Sequence, residues 1–172
     1  MSPNEELEEQ VHHAHDPFDK RVAATMAIMA ALLAIVSVLG QHFNTEKILN
    51  QQLSSDQWAY YNAKDIRRYT ADVAQATLAQ MKADPKLIEK YLQDESRYKK
   101  QATDIQEKAR DFLKERDKAG RRADYFHFGE VFLEVAIVFS SLSILTRAKV
   151  LFFAGGASAV IGLVISIAAW TA

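Results

Sequence analysis

A single acidic residue, Glu134, interrupts an otherwise uncharged stretch at 131–146. A charged side chain inside a membrane helix costs about 3 kcal/mol on insertion scales, so it usually faces a protein interior or water. Glu130, Glu134, Ile137 and Ser141 follow helical spacing and share one face, which we expect to look into a helix bundle. This pattern fits a proton- or cation-binding carboxylate on a conducting path. The alternative is a hydrogen-bonded glutamate that holds subunits together.

Three histidines near the N-terminus, His12, His13 and His15, are the weak candidates for a metal site. Neutral imidazole nitrogens bind divalent transition metals well. No i, i+4 spacing on a helix preorganises these three side chains, and a solvated tail explains them more simply. The sequence therefore predicts no metal site and no cofactor.

Residue types required for the common enzyme chemistries are missing or scattered. The chain has no cysteine, which excludes disulfides, thiolate metal sites and cysteine nucleophiles. No phosphate-binding glycine loop and no Ser/His/Asp set stands out. The net charge is −1, and no basic stripe with interleaved aromatic residues indicates nucleic-acid binding. The sequence predicts a protein that is not an enzyme and has no catalytic residue.

Long apolar stretches must position these side chains. The segments 22–40 and 150–170 contain no charged residue, and 131–146 reaches a similar length with its flanks. A helix needs about 20 apolar residues to cross about 30 Å of hydrocarbon. We therefore predict three transmembrane helices, at 22–42, 129–146 and 149–171. Residues 1–21 form an acidic tail that we expect to be mostly disordered, and its acidic character argues against a signal peptide.

The region 43–128 is charged and almost free of helix breakers. It has one proline, Pro85, and no glycine before Gly120. Proline can begin a helix but cannot continue one, so the chain should turn at 84–85 between two arms of similar length. The predicted fold is all-α, with three transmembrane helices and a long antiparallel coiled-coil hairpin between helices one and two.

Apolar residues alternate every three and four positions along both arms, which is typical of a coiled-coil seam. The predicted seam consists of Tyr91, Tyr98, Ile105 and Phe112 on the second arm and Ile66, Tyr69 and Val73 on the first. This seam is thin and includes charged members. Two helices alone would bury little, so we expect a homo-oligomer in which the hairpins of several subunits pack together.

A ladder of small residues runs along the third predicted transmembrane helix. Its members are Ala154, Ser158, Gly162 and Ser166. Small residues at every fourth position let helix backbones approach closely. The ladder is a candidate oligomer interface, and packing within one subunit is the alternative.

Basic residues flank two of the predicted membrane helices. Lys20 and Arg21 precede the first, and Arg147 and Lys149 lie in the turn between the second and third. With three spans these sites share one side, which the positive-inside rule makes cytoplasmic. The hairpin and the C-terminus would then be periplasmic.

Three sequence blocks resemble a known family. They are His-Asp-Pro-Phe at 15–18, Ser-Asp-Gln-Trp-Ala-Tyr-Tyr at 55–61, and Glu130 and Glu134 leading into Ile-Val-Phe-Ser-Ser at 137–141. In order and spacing they are similar to a bacterial membrane family of unknown function, domain of unknown function 4337. The resemblance implies a bacterial membrane protein and brings no catalytic residues. With three predicted spans, we expect a multi-pass protein of the bacterial inner membrane.

These observations lead us to expect a non-enzymatic membrane scaffold whose partners are the lipid bilayer and copies of itself. The alternative is a homo-oligomeric proton or cation channel, or an energy-coupling subunit, that uses Glu134.

Overall fold

The computed structural model describes residues 17–171 and contains three α-helices. They are α1, Pro17–Gln80, α2, Pro85–Thr146, and α3, Lys149–Ala168. Each contains a segment long and apolar enough to cross a membrane. The predictions of an all-α chain and of three helices of this kind are confirmed. The predictions for 1–16, including His12, His13 and His15, lie outside the described residues.

A Schellman motif ends α1. The amide of Ala83 donates to the carbonyl of Leu78 (3.0 Å), the amide of Lys82 donates to the carbonyl of Ala79 (3.2 Å), and Lys82 has φ of 51°. Asp84 then caps α2, because its Oδ1 accepts a hydrogen bond from the amide of Lys86 at 3.0 Å. Pro85 follows as the first helical residue, where its missing amide hydrogen is not needed.

The chain divides into two compact units. The first comprises Met1–Asn44 and Gly120–Ala172, and the second comprises Thr45–Ala119. In the first unit, Phe43 of α1 stacks on Phe126 of α2 with 5.6 Å between ring centroids. Leu133 and Ala136 are fully buried in the same apolar cluster. This unit contains the apolar segments of all three helices.

In the second unit the two helical segments run antiparallel. Ser54 Oγ donates to the carbonyl of Ala109 at 3.0 Å, and Arg116 Nη1 donates to Gln51 Oε1 at 2.6 Å. The smallest residues are the most buried ones. They are Ser54, Ala71, Ala102, Ala109 and Ala119. The helices therefore pack through small side chains, which permit a close approach of the two backbones.

The predicted seam is wrong for the first arm. Ile66, Tyr69 and Val73 are 65%, 56% and 64% exposed, whereas Tyr91, Tyr98, Ile105 and Phe112 of the second arm are half-buried. The inward row of the first arm is polar or small instead, and it includes Ser54, Tyr61, Lys64, Arg68 and Ala71. Ser54 hydrogen-bonds across the pair, and Arg68 Nη1 lies 4.0 Å from Glu95 Oε1. Small size and hydrogen bonding, rather than apolar character, select this face.

Candidate functional site

Glu134 lies on the outward surface of the first unit. Its side chain is exposed, and so is that of Ser141, while Glu130 is half-buried. At Glu134 and Ser141 the predicted face therefore looks out of the helix bundle that the described residues form, whereas Ile137 is half-buried, and a bundle of several subunits stays a prediction. The inward row of α2 is Phe126, Leu133, Ala136, Ser140 and Ser143. Successive helical residues are about 100° apart, so Glu134 points away from the row that packs.

The position of Glu134 along α2 can be measured from an aromatic cluster. Phe43 and Phe126 stack, and Trp170 contacts each of them edge-on at 6.4 Å. This cluster marks one end of the apolar part of the unit. Glu134 is eight residues beyond Phe126, which is about 12 Å along a helix axis. In a span of about 30 Å this depth corresponds to hydrocarbon.

The carboxyl of Glu134 makes no hydrogen bond and no ion pair with any residue between 17 and 171. Ser140, Ser143, Ser158 and Ser166 each donate to a backbone carbonyl of their own chain. A carboxyl in this position is open to a partner outside residues 17–171.

A polar groove of about 310 Å³ lies between α1 and α2 in the first unit. Its lining is Gly40, Gln41, Asn44, Ala123, Asp124, His127 and Glu130. His127 Nδ1 lies 3.6 Å from Glu130 Oε2, so Glu130 has a local partner when the imidazole is protonated. Sequence reasoning missed Asp124 and His127, although their polar character directly beside an apolar stretch was a signal. No group of metal-ligating side chains lies within the described part of the chain.

The small-residue ladder of α3 packs within the chain, so its assignment as an oligomer interface is wrong. Ser158 Oγ donates to the carbonyl of Phe132 at 2.7 Å. A Cβ added to Gly162 would lie 2.7 Å from the carbonyl oxygen of Gly129, and one added to Gly129 would collide with Ser166. Ala154 is half-buried. The alternative of packing within one subunit describes the ladder. The signal that was missed is Gly129, the small residue opposite Gly162.

Ile66, Tyr69 and Val73, which the predicted seam had placed between the two arms, lie instead in an exposed outer row of the first arm. We define the outer row as Ala59, Ile66, Tyr69, Val73 and Ala76, all of which are exposed. Beside it, Arg68 Nε donates to Asp65 Oδ1 at 2.8 Å, and this hydrogen bond raises the pKa of the Arg68 guanidinium above its ordinary value. The Arg68 guanidinium also lies 4.2 Å from the ring centroid of Tyr69. A charged border thus runs along an apolar row.

A comparison with protein-family models matches residues 18–172 to the family described as Domain of unknown function (DUF4337). A search of curated proteins found no match, and neither did a search of solved structures. The match covers nearly the whole chain and confirms the resemblance to this family. The chain therefore belongs to the DUF4337 family.

Proposed function

We propose that this protein is a non-enzymatic scaffold of the bacterial inner membrane that assembles from several copies of itself. Its three apolar helices are compatible with a multi-pass membrane protein. The observation that carries the proposal is the outer row, which the pairing of the two arms leaves uncovered. Exposed apolar residues that continue along one helix face are typical of a surface that contacts another protein.

The spacing of the outer row favours another helix as its partner. Positions 59, 66 and 73 are seven residues apart, and positions 69 and 76 follow 66 and 73 by three residues each, which is the pattern of a coiled-coil contact. A second copy is the simplest source of such a helix. Copies inserted in one membrane share their orientation, and confinement to the bilayer raises their effective concentration. The hairpins of neighbouring copies can then meet along their outer rows.

The test is the mass of the intact protein in mild detergent, measured by native mass spectrometry. We expect the wild type to contain two or more copies. Replacing Ile66 and Val73 by Glu should reduce the number of copies, because it places charges in the apolar contact. Leu92→Glu is the matched control, since Leu92 is 52% exposed on the second arm and outside the outer row. A strictly monomeric wild type at micromolar concentration would refute the scaffold.

A second candidate function is a homo-oligomeric proton or cation channel, or an energy-coupling subunit. The exposure of Glu134 at membrane depth favours it, because a conducting path could form between subunits. Flux into liposomes tests this candidate. The wild type should conduct, and Glu134→Gln should not, since glutamine keeps hydrogen bonding but cannot ionise. Wild-type flux equal to that of empty vesicles would refute the channel, and the scaffold would be the one remaining proposal.

A further inference from the structure

The outward surface of α2 carries a second regularly spaced row, which lies in the first unit. We define the α2 row as His127, Val131, Glu134, Val138, Ser141 and Leu145, all of which are exposed. The spacings alternate between four and three residues without a break. This alternation is typical of a helix that pairs with another helix at a small crossing angle. Val131 and Val138, which flank Glu134, are 42% and 55% exposed.

The carboxyl of Glu134 requires a hydrogen-bonding partner that lipid chains cannot provide. Unsatisfied polar groups in hydrocarbon cost free energy, and acidic residues within membrane helices are usually paired. The buried serine hydroxyls of α2 and α3 donate to backbone carbonyls, so they are engaged within the first unit. No residue between 17 and 171 pairs with Glu134, which favours a partner on another molecule that reaches the same depth in the bilayer.

A second copy of this chain meets both requirements. Copies inserted with one orientation place Glu134 at one depth, and a twofold axis along the membrane normal brings identical residues together. Identical carboxyl groups are self-complementary, because a carboxyl group can both donate and accept a hydrogen bond. Ser141 lies seven residues further along the row and offers a second self-complementary group.

We propose that α2 pairs in parallel with α2 of a second copy, with Glu134 hydrogen-bonded to Glu134 of that copy and Val131 and Val138 packed on either side. This inference rests on the proposed self-assembly and assigns its contact within the membrane. The α2 row is separate from the outer row of the hairpin, so the two contacts can be tested independently.

Disulfide crosslinking in membranes tests the contact, because the chain has no cysteine of its own. A disulfide requires Cα atoms within about 7 Å, so only residues facing each other across the axis can form one. Val131→Cys and Val138→Cys should crosslink into dimers on mild oxidation. Ile35→Cys is a depth-matched control, because Ile35 is 58% exposed and lies eight residues before Phe43, as Glu134 lies eight residues after Phe126. The yield of crosslinked dimer should be at least five-fold lower for Ile35→Cys than for Val131→Cys or Val138→Cys.

Variants of Glu134 then test the role of the carboxyl in the Val138→Cys background. Glu134→Gln should crosslink within two-fold of the parent, because an amide also donates and accepts. Glu134→Leu should crosslink at least five-fold less. An unchanged yield in Glu134→Leu, or equal yields at Ile35 and Val138, would overturn the inference. If the protein has an oligomeric mass but forms no crosslinks at Val131 and Val138, the α2–α2 contact is overturned and the proposed scaffold function stands. A monomeric mass would refute the scaffold function itself.

Discussion

Lys82 adopts a backbone conformation that side chains disfavour. Its φ of 51° lies in the left-handed region, where an L-residue with a Cβ is strained by about 1–2 kcal/mol and where glycine is the usual choice. The Schellman hydrogen bonds around it hold this conformation. The turn between the two arms is therefore locally strained, and one substitution can relieve this strain.

We expect Lys82→Gly to stabilise the protein by about 0.5–1 kcal/mol, since relief of strain outweighs the added freedom of glycine in the unfolded chain. Lys90→Gly is the control. Lys90 is exposed within α2, where glycine should destabilise by about 1 kcal/mol. Thermal unfolding of the full chain in detergent, followed by circular dichroism, measures both changes. A melting temperature for Lys82→Gly below that of the wild type would show that the backbone at Lys82 is not strained.

At the scale of elements, the backbones of α2 and α3 come into close contact at Gly129 and Gly162. A Cβ on Gly162 would lie 2.7 Å from the carbonyl oxygen of Gly129, whereas one on Gly156 would meet nothing within 4 Å. The two glycines of α3 therefore differ in their surroundings. Gly162 permits the contact, and Gly156 is not required for it.

We expect Gly162→Ala to destabilise the protein by about 1–3 kcal/mol, because the helices must separate to admit the methyl group. Gly156→Ala should be neutral or slightly stabilising, because alanine is the better helix former. Thermal unfolding in detergent distinguishes the two. Equal effects of both substitutions would show that the close approach of α2 and α3 does not contribute to stability.

Much of the helical layout could be predicted from the sequence, because apolar length and the absence of breakers are strong signals. Which face of each helix packs against its neighbour could not be predicted from the sequence. The coiled-coil pattern favoured Ile66 and Val73, but packing within the second unit uses Ser54 and Ala71. The outward position of Glu134 could not be predicted for the same reason, because the pattern of α2 does not show which of its faces packs. Where a helix is apolar on nearly every side, the inward face is decided by small residues on the neighbouring helix, such as those opposite Gly129.

At the scale of the whole molecule, the basic residues predict how the protein inserts. Phe18 near the start of α1 lies 5.9 Å from Phe152 near the start of α3, and Lys149 Nζ lies 5.8 Å from the Phe18 ring. These contacts support the expectation that Lys20 and Arg147 occupy one side of the membrane. The positive-inside rule predicts that this side is the cytoplasmic one.

We therefore expect a reporter that is active only in the periplasm to be active when inserted at Pro85 and when fused after Ala172. The same reporter fused before the first membrane helix should be inactive. Silence at both Pro85 and Ala172 would reverse the orientation and place the hairpin in the cytoplasm.

The serine hydroxyls of the first unit bear on how a proton could move. A hydroxyl has one hydrogen, and Ser140, Ser143, Ser158 and Ser166 each direct theirs to a backbone carbonyl. A relay of the Grotthuss kind needs each member to release a proton on one side while it accepts another. These four hydroxyls have no hydrogen left for such a relay, and their carbonyl acceptors cannot pass a proton on. A proton wire could not run through these four hydroxyls, whereas Glu134 and Ser141 on the outward surface donate no hydrogen bond to a backbone carbonyl within 17–171.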